Sequence, residues 1–406
     1  MIPITSLLPS QRPVVGIDIG KRKHAAAGVM TDGRDFGKPL PFKNNRAGID
    51  LLEKKILAPL NAEGPVLVGI EATGHYWMCL YFELTRRGYE CVVLNPIETT
   101  KKQRRRIRKT KTDKIDARGI ARFIREGDFG RSRIPDVATF ELRHLIRHRW
   151  RLQGLVGQLQ ASAESLVDVL FPEFTTVFSS PWLVSARALI RDVGASPTAI
   201  LESPKTTREL VRKASRGKIS DAQIDRLLEC ASATIGIRRA EARLDTLLQS
   251  SLTLFESIEQ QITAIDEHLG VLVAALQSPL GTIGLSTHII ATIHAECDPA
   301  SDFSNARQLV AYAGLDPTVF ESGEPGRRSG RISKRGSRRL RQALYLSSMG
   351  LIRRKGVFQD TYRRARKVRK HHTEALVAVA AQLARIVFRM LRDNQDFDPE
   401  HKPRLM

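Results

Sequence analysis

Four carboxylates carry the chemistry this sequence offers. Asp18 stands in PVVGIDIGK and Glu71 in VLVGIEATG, each after Gly-Ile in a run of Val and Ile that reads as a buried strand. An ionised group in such a run is costly unless it is paired, binds a metal or gives up its charge. Asp113 and Asp116 follow in KTDKIDARGIARF. Three residues apart on a helix, they share a face, with Cβ atoms about 5–6 Å apart. Brought together, four oxygen donors suit Mg2+, with Mn2+ as an alternative ion. Two such ions about 3.5–4 Å apart would activate one oxygen of a phosphoryl-transfer reaction and stabilise another. Each acid alone has a plainer reading. Asp113 fits an N-cap, and Asp116 fits half of an exposed ion pair with Arg118 or Lys114. Asp18 and Glu71 resist that reading best, because both interrupt apolar strands.

Charge points to the substrate class. The chain of 406 residues has 65 Lys and Arg against 43 Asp and Glu, a net charge of +22. Residues 101–118 carry +8 and residues 327–372 carry +16, so the rest is close to balanced. Two concentrated basic stretches are the footprint of a polyanion, nucleic acid first. Beside the acids, Lys101, Lys102, Arg104, Arg105, Arg106, Arg108, Lys109 and Lys111 are candidate phosphate contacts. In the second stretch the candidates are Arg327, Arg328, Arg331, Lys334, Arg335, Arg338 and Arg339. Acids flanked by arginines suit the cutting of a phosphodiester chain better than a small anionic substrate.

The elements that must position these residues alternate first and then turn helical. Residues 13–96 read β-β-β-α-β-α-β, a mixed sheet with helices on its faces. The DKIDARGIARFIRE helix follows, with Ile115, Ile120 and Phe123 on its apolar side. From 137 to 277 strand signals almost vanish. Leu244, Leu248, Ser251, Phe255, Ile258, Ile262, Ile265, Leu269, Leu272 and Leu276 step by four and three, which predicts a coiled coil or a long antiparallel helix pair. Residues 172–236 break into shorter helical pieces around Pro181, Pro197 and Pro204. Beyond 278 come further helices around a Gly- and Arg-rich loop, ESGEPGRRSGRISKRGSRR, and NQDFDPEHKPRLM reads as a frayed tail. The fold class expected is α/β plus all-α. The divisions expected are a catalytic sheet domain over 12–135, a helical dimerisation region over 136–277, a C-terminal domain over 278–395 and a tail over 396–406. No apolar run is long enough to span a membrane, and the N-terminus lacks a secretory pattern. Cys79, Cys91, Cys230 and Cys297 lie far apart with no CxxC pair, which fits reduced thiols in a cytoplasm and argues against a zinc or disulfide framework.

The motifs GIDIGK, IEATGHY, LNP and KTDKIDARGIARF closely resemble the N-terminal DEDD domain of the insertion-sequence-110 family of transposases, which is related to Piv-type DNA invertases and similar to the RuvC and RNase H fold. FSNARQLVAYAGLDPTVFESG and GRISKRGSRRLRQALY resemble the family's C-terminal transposase domain. The resemblance covers roughly half of the chain, at both ends and in order. It implies that Asp18, Glu71, Asp113 and Asp116 are the metal-binding tetrad and that Ser322, in ESG, is a nucleophile forming a phosphoserine link to DNA. It also implies donor and target DNA, a structured guide RNA, and a homodimer assembling to a tetramer with sites shared between subunits, acting in the cytoplasm at the nucleoid. The family's Pro-Gly-[Ile/Val]-Gly hairpin reads PLGTIG here, and the helical middle is longer than the family minimum. His75 and Tyr76 are candidates for substrate contact or for aromatic packing. The alternative function is a RuvC-like metal nuclease or Holliday-junction resolvase with no covalent intermediate; a non-catalytic nucleic-acid scaffold is a third.

Overall fold

The computed structural model describes residues 7–72, 74–94, 113–127, 129, 131–132, 134, 136–297, 300–317, 332–368 and 370–399; the side chains of 113–116, 131–132 and 301 lie outside that description. The chain divides into two compact units, Met1–Pro135 and Asp136–Met406.

The first unit is built on a six-stranded sheet: β1 (Val14–Asp18), β2 (Lys23–Val29), β3 (Asp35–Lys43), β4 (Leu67–Glu71), β5 (Glu90–Leu94) and the two-residue β6 (Arg131–Ser132). The order is β3-β2-β1-β4-β5-β6. β1, β4 and β5 run parallel, while β2, β3 and β6 are antiparallel to their neighbours. The unit has the mixed sheet of an RNase H-like fold. One face packs on α1 (Arg46–Leu52) and α2 (Trp77–Arg86) through Val15, Ile17, Val68, Ile70, Leu52, Leu80 and Leu84. The Asn45 side chain caps α1 by accepting from the Gly48 N–H at 2.9 Å. The other face packs on α3 (Asp113–Arg125) through Val14, Val29, Leu67, Val92, Leu94, Ile120 and Ile124. Strand alternation assigns the two faces, since successive side chains point to opposite sides.

The second unit is helical. Asp136 caps α4 (Val137–Leu170), its Oδ1 accepting from the Thr139 N–H at 2.7 Å. Four shorter helices follow, α5 (Val184–Asp192), α6 (Pro197–Glu202), α7 (Pro204–Ser215) and α8 (Asp221–Ala233), and then α9 (Glu241–Ala275). α4 and α9 are antiparallel: Leu142 and Ile146 meet Ile265 and Leu269, while Ala163 and Val167 meet Leu248 and Leu252. Of the two arrangements the heptads allow, the chain contains the helix pair. The seam differs in one layer from the expected one. Leu252 fills it, 3% exposed, while Ser251 donates to its own helix at Leu247 O. Segment 172–236 is a packed lobe, its Phe174 and Phe178 fully buried against the Val167 and Leu248 end of the pair.

The last lobe contains α10 (Thr287–Cys297), α11 (Ala306–Tyr312), α12 (Arg338–Leu351), α13 (Val357–Lys367) and α14 (His372–Asp393). Its core is Leu280, Ile293, Leu309, Leu344, Val379, Leu383 and Val387. Two features correct the sequence reading. α13 lies within the basic stretch 327–372, where no separate helix was expected, and just Phe358 and Ala365 are buried on it. The tail docks at its start: Phe397 stacks on Phe358 at 5.7 Å, and its N–H donates to Thr282 Oγ1 at 2.9 Å. Among the described residues, no helix is long and apolar enough to cross a membrane.

Candidate functional site

The acids of the first unit are placed by strand register. Ile17 of β1 pairs with Ile70 of β4 in parallel, so Asp18 and Glu71 are the next residues on adjacent strands. Neighbouring strands lie about 4.8 Å apart. Both residues are half-buried and both belong to the face that packs on α3. They end two parallel strands on the same edge, where open α/β sheets bind ligands.

Glycine explains how a helix reaches that edge. A Cβ on Gly16 would stand 2.3 Å from Ala117 O and 2.4 Å from Ala121 N, so the α3 backbone rests directly on β1. A Cβ on Gly69 would collide with the Ile124 side chain. Ala117 also packs on Ala25 and Ala27, and Ala25 is the register partner of Asp18. Ala121 and Ile124 lie over Gly16 and Gly69, which are register partners, while Ala117 also reaches Ala25 beside Asp18 and Arg125 reaches Met30 and Thr31 past the other end of β2, so α3 runs from the Asp18 end of the strands. The first turn of α3, with Asp113 and Asp116 in it, lies at the strand ends that bear the other two acids. The Gly-Ile-acid repeat thus has a double meaning: glycine admits the helix, and the acid two residues on sits where that helix begins.

α3 is fastened from its basic side. Arg122 donates to Asp35 at 2.9 Å, and Arg125 donates to Met30 O and Thr31 O at 3.1 and 2.8 Å. Arg118 pairs with Asp35 at 3.4 Å and donates to Gly37 O. His75 and Tyr76 stack at 4.3 Å, with Tyr76 packed against the sheet core and His75 exposed.

Ser322, Arg327, Arg328 and Arg331 lie outside the described residues, as do Lys101, Lys102, Arg104, Arg105, Arg106, Arg108, Lys109 and Lys111. The two ends of the serine-bearing segment are described. Pro317 and Ile332 form an antiparallel bridge, and Ser333 N–H donates to Asp316 O at 2.8 Å. The Ser333 hydroxyl donates to Asp316 Oδ1 at 2.5 Å. Lys334 N–H and Ser337 N–H donate to Gly314 O and Tyr312 O. Lys334, Arg335 and Arg338 are exposed and Arg339 is half-buried.

Beneath this clasp lies a buried carboxylate that the sequence reading missed. Glu296, 7% exposed, accepts from Arg147 Nε and Nη2 of α4 at 3.1 and 3.0 Å, and from the Ser337 hydroxyl at 3.1 Å. Ser337 in turn caps α12 by accepting from the Leu340 N–H. The signal was available: Glu296 interrupts the apolar run IIATIHAEC, as Asp18 interrupts its strand.

Comparison with known proteins agrees with this architecture. Residues 15–172 match a DEDD-type family model described as transposase, and residues 281–363 match one described as transposase of the IS116/IS110/IS902 family. The chain is 24% identical to the 43.6 kDa protein of insertion element IS110 of Streptomyces coelicolor, over 95% of each chain. It is 25% identical to the 44.8 kDa protein of element IS116 of Streptomyces clavuligerus, over 95% of this chain and 96% of that one. A pilin gene-inverting protein of Moraxella lacunata is 28% identical over 31% of this chain and 38% of its own. The DEDD-type domain implies a divalent metal ion. Its match begins in β1 and that of the C-terminal model spans the serine-bearing segment, so the chain belongs to the IS110 family of insertion-sequence transposases, enzymes acting on DNA.

Proposed function

We propose that this transposase cuts and rejoins DNA strands through a phosphoserine intermediate on Ser322, assisted by Mg2+ or Mn2+ on Asp18, Glu71, Asp113 and Asp116. The observation that carries the reading is the convergence of Asp18, Glu71 and the first turn of α3 on one edge of the sheet. The donor set fits the ion, since it consists of carboxylate oxygens with neither thiolate nor imidazole among the four. Bound there, the ion supplies Lewis-acid charge beside the scissile phosphate.

The chain's own residues do the rest. The Ser322 hydroxyl attacks phosphorus; a P–Oγ bond forms, the bond to one strand oxygen breaks, and that oxygen leaves as a strand hydroxyl. A carboxylate of the set takes the serine proton and returns it to the leaving oxygen. Rejoining runs the same exchange with a hydroxyl of the other strand. The arginines of 327–339 and the basic run 101–111 hold backbone phosphates. A structured RNA pairs with donor and target, and a homodimer assembles to a tetramer at the nucleoid of the cytoplasm.

The test is an SDS-resistant adduct between the full chain, supplied with transcript from its element's flanks, and donor DNA. Ser322→Ala abolishes adduct and strand transfer, and Asp18→Asn does the same. RNase treatment before mixing abolishes both with the wild-type protein. An adduct that persists in Ser322→Ala overturns the assignment. Continued nicking without an adduct in that variant favours the metal-nuclease alternative.

A further inference from the structure

The positive charge of the C-terminal lobe extends onto a helix outside the basic loop. On α4, Arg147 and Arg151 stand four residues apart, on one face and about 6 Å apart along the axis. Arg147 and Ser337 meet on Glu296, which brings this face of α4 to the start of α12, where Arg338 and Arg339 follow Ser337; burial lowers the Arg339 pKa, and Arg147, Arg151 and Arg338 lower it further, while Glu296 opposes. Glu296 accepts from Arg147. Among the described residues no carboxylate pairs with Arg151, Arg338 or Arg339. Beside them is Tyr312, 38% exposed, whose pKa is raised by burial and by Glu296 and Cys297, with Arg143 and Arg147 opposing.

Four guanidiniums around one carboxylate is an arrangement that repels itself. Like charges held this close are retained at a stability cost unless another anion completes the set. The site is open at Arg151 and Arg338, which are exposed, and closed beneath by the buried Glu296. A planar guanidinium engages phosphate oxygens in bidentate fashion, and an exposed tyrosine can stack on a base or donate to a phosphate. We propose that Arg147, Arg151, Arg338, Arg339 and Tyr312 form a phosphate-binding platform for a DNA strand, with Glu296 as its fixed base. The long helix α4 is then a substrate-contacting element as well as half of a helix pair. DNA rather than RNA is the occupant because Arg338 and Arg339 continue the segment that bears Ser322, which on the proposed function must meet the DNA phosphate. The platform rests on that reading.

The test uses the full chain in the Ser322→Ala background, so that no covalent step enters. Binding of a fluorescent 40-base-pair duplex and of an RNA hairpin of equal length is measured against KCl concentration. Arg151→Ala, Arg338→Ala and Arg339→Gln combined should lower the slope of log affinity against log salt for the duplex by about three, one for each lost phosphate contact. Arg151→Ala alone, an exposed change that leaves folding intact, should lower it by about one. Glu202→Gln, on the distant lobe, should leave it unchanged. A wild-type duplex slope in Arg151→Ala overturns the platform whatever the combined variant shows, as does a loss confined to the RNA. An adduct surviving in Ser322→Ala would remove the phosphoserine reading while leaving the duplex slopes to decide the platform.

Discussion

The two units hold their candidate catalytic groups by different means. In the first, position comes from backbone: two acids are set by parallel register, and two more lie on a helix whose main chain touches Gly16. In the second, the ends of the serine-bearing segment are joined by main-chain bonds between 312–317 and 332–337, and side chains add to these, with Asp316 receiving Ser333 and Glu296 receiving Ser337 and Arg147. Main-chain contact is rigid because interiors are close-packed and there is no rotamer to adjust. A side-chain clasp is held by hydrogen bonds each worth about 0.5–1.5 kcal/mol net, or about 1.5–3 kcal/mol to charged groups. The glycine contact of the first unit should therefore tolerate almost no change, while loss of the side-chain bonds that the second unit adds should weaken it by steps.

Gly16 gives the largest expected effect. Gly16→Ala puts a methyl carbon within 2.3 Å of Ala117 O, and only movement of the helix relieves it. Overpacking of this kind costs about 1–3 kcal/mol, and we expect the upper end in urea unfolding of the full chain, with strand transfer lost. Gly69→Ala should be milder, because its obstacle is the Ile124 Cδ1 atom, the movable end of a side chain. Ile124→Val removes that atom and should restore most of the stability and activity of Gly69→Ala, whereas it should do nothing for Gly16→Ala. Equal rescue of both would show that α3 slides freely on the sheet.

The clasp should fail more gently. Glu296→Gln keeps the shape but removes the charge that engages Arg147, whose side chain is 40% exposed and can turn to water. A loss of about 1–2 kcal/mol is expected. Asp316→Asn should lower stability by about 1 kcal/mol. Both should reduce adduct formation without altering unfolding of the first unit. If either variant abolishes activity as completely as Gly16→Ala, the contrast between the two modes is wrong.

The same contrast explains what could be read from sequence. The acids and their strands were legible because Gly-Ile-acid in an apolar run is a local pattern that occurs twice, although the register that joins the two copies pairs residues distant in the chain, Ile17 with Ile70. α3 was legible from Ile120 and Phe123. The layer at Ser251 was misassigned because a 3.6-residue helix drifts against a strict heptad, so adjacent positions compete for the seam, and Leu252 won it. α13 escaped notice because its two buried residues, Phe358 and Ala365, are lost among arginines. Glu296 matters through Arg147, 149 residues away, and Asp316 through Ser333 across the 317–332 segment, and neither pairing shows in a local pattern. The tail misled in the same way: one aromatic residue among polar ones does not announce where it binds. Phe397→Ala should lower stability by about 1 kcal/mol, from the lost stack on Phe358.

The smallest effect expected is a dependence on pH, and it also separates the units. His24 of β2 is 2% exposed, on the sheet face away from α3, edge-on to Phe42 at 5.2 Å. Neither ring nitrogen reaches a partner in hydrogen-bonding geometry. Burial, opposed in part by the nearby Asn44 side chain, holds its pKa below the ordinary 6.5. The unfolded chain therefore binds this proton more readily than the folded one, so stability is full above about 6.5 and falls as pH drops below it. His288 of α10 has the same sign, from burial and then Arg149, with Asp266 opposing, but it is only half-buried. His24→Leu should flatten the acid side of the stability curve more than His288→Asn does, and the flattening should appear in the transition of the first unit. Equal effects from the two variants would mean that water reaches His24, and that the sheet face away from α3 is less tightly closed than the face α3 covers.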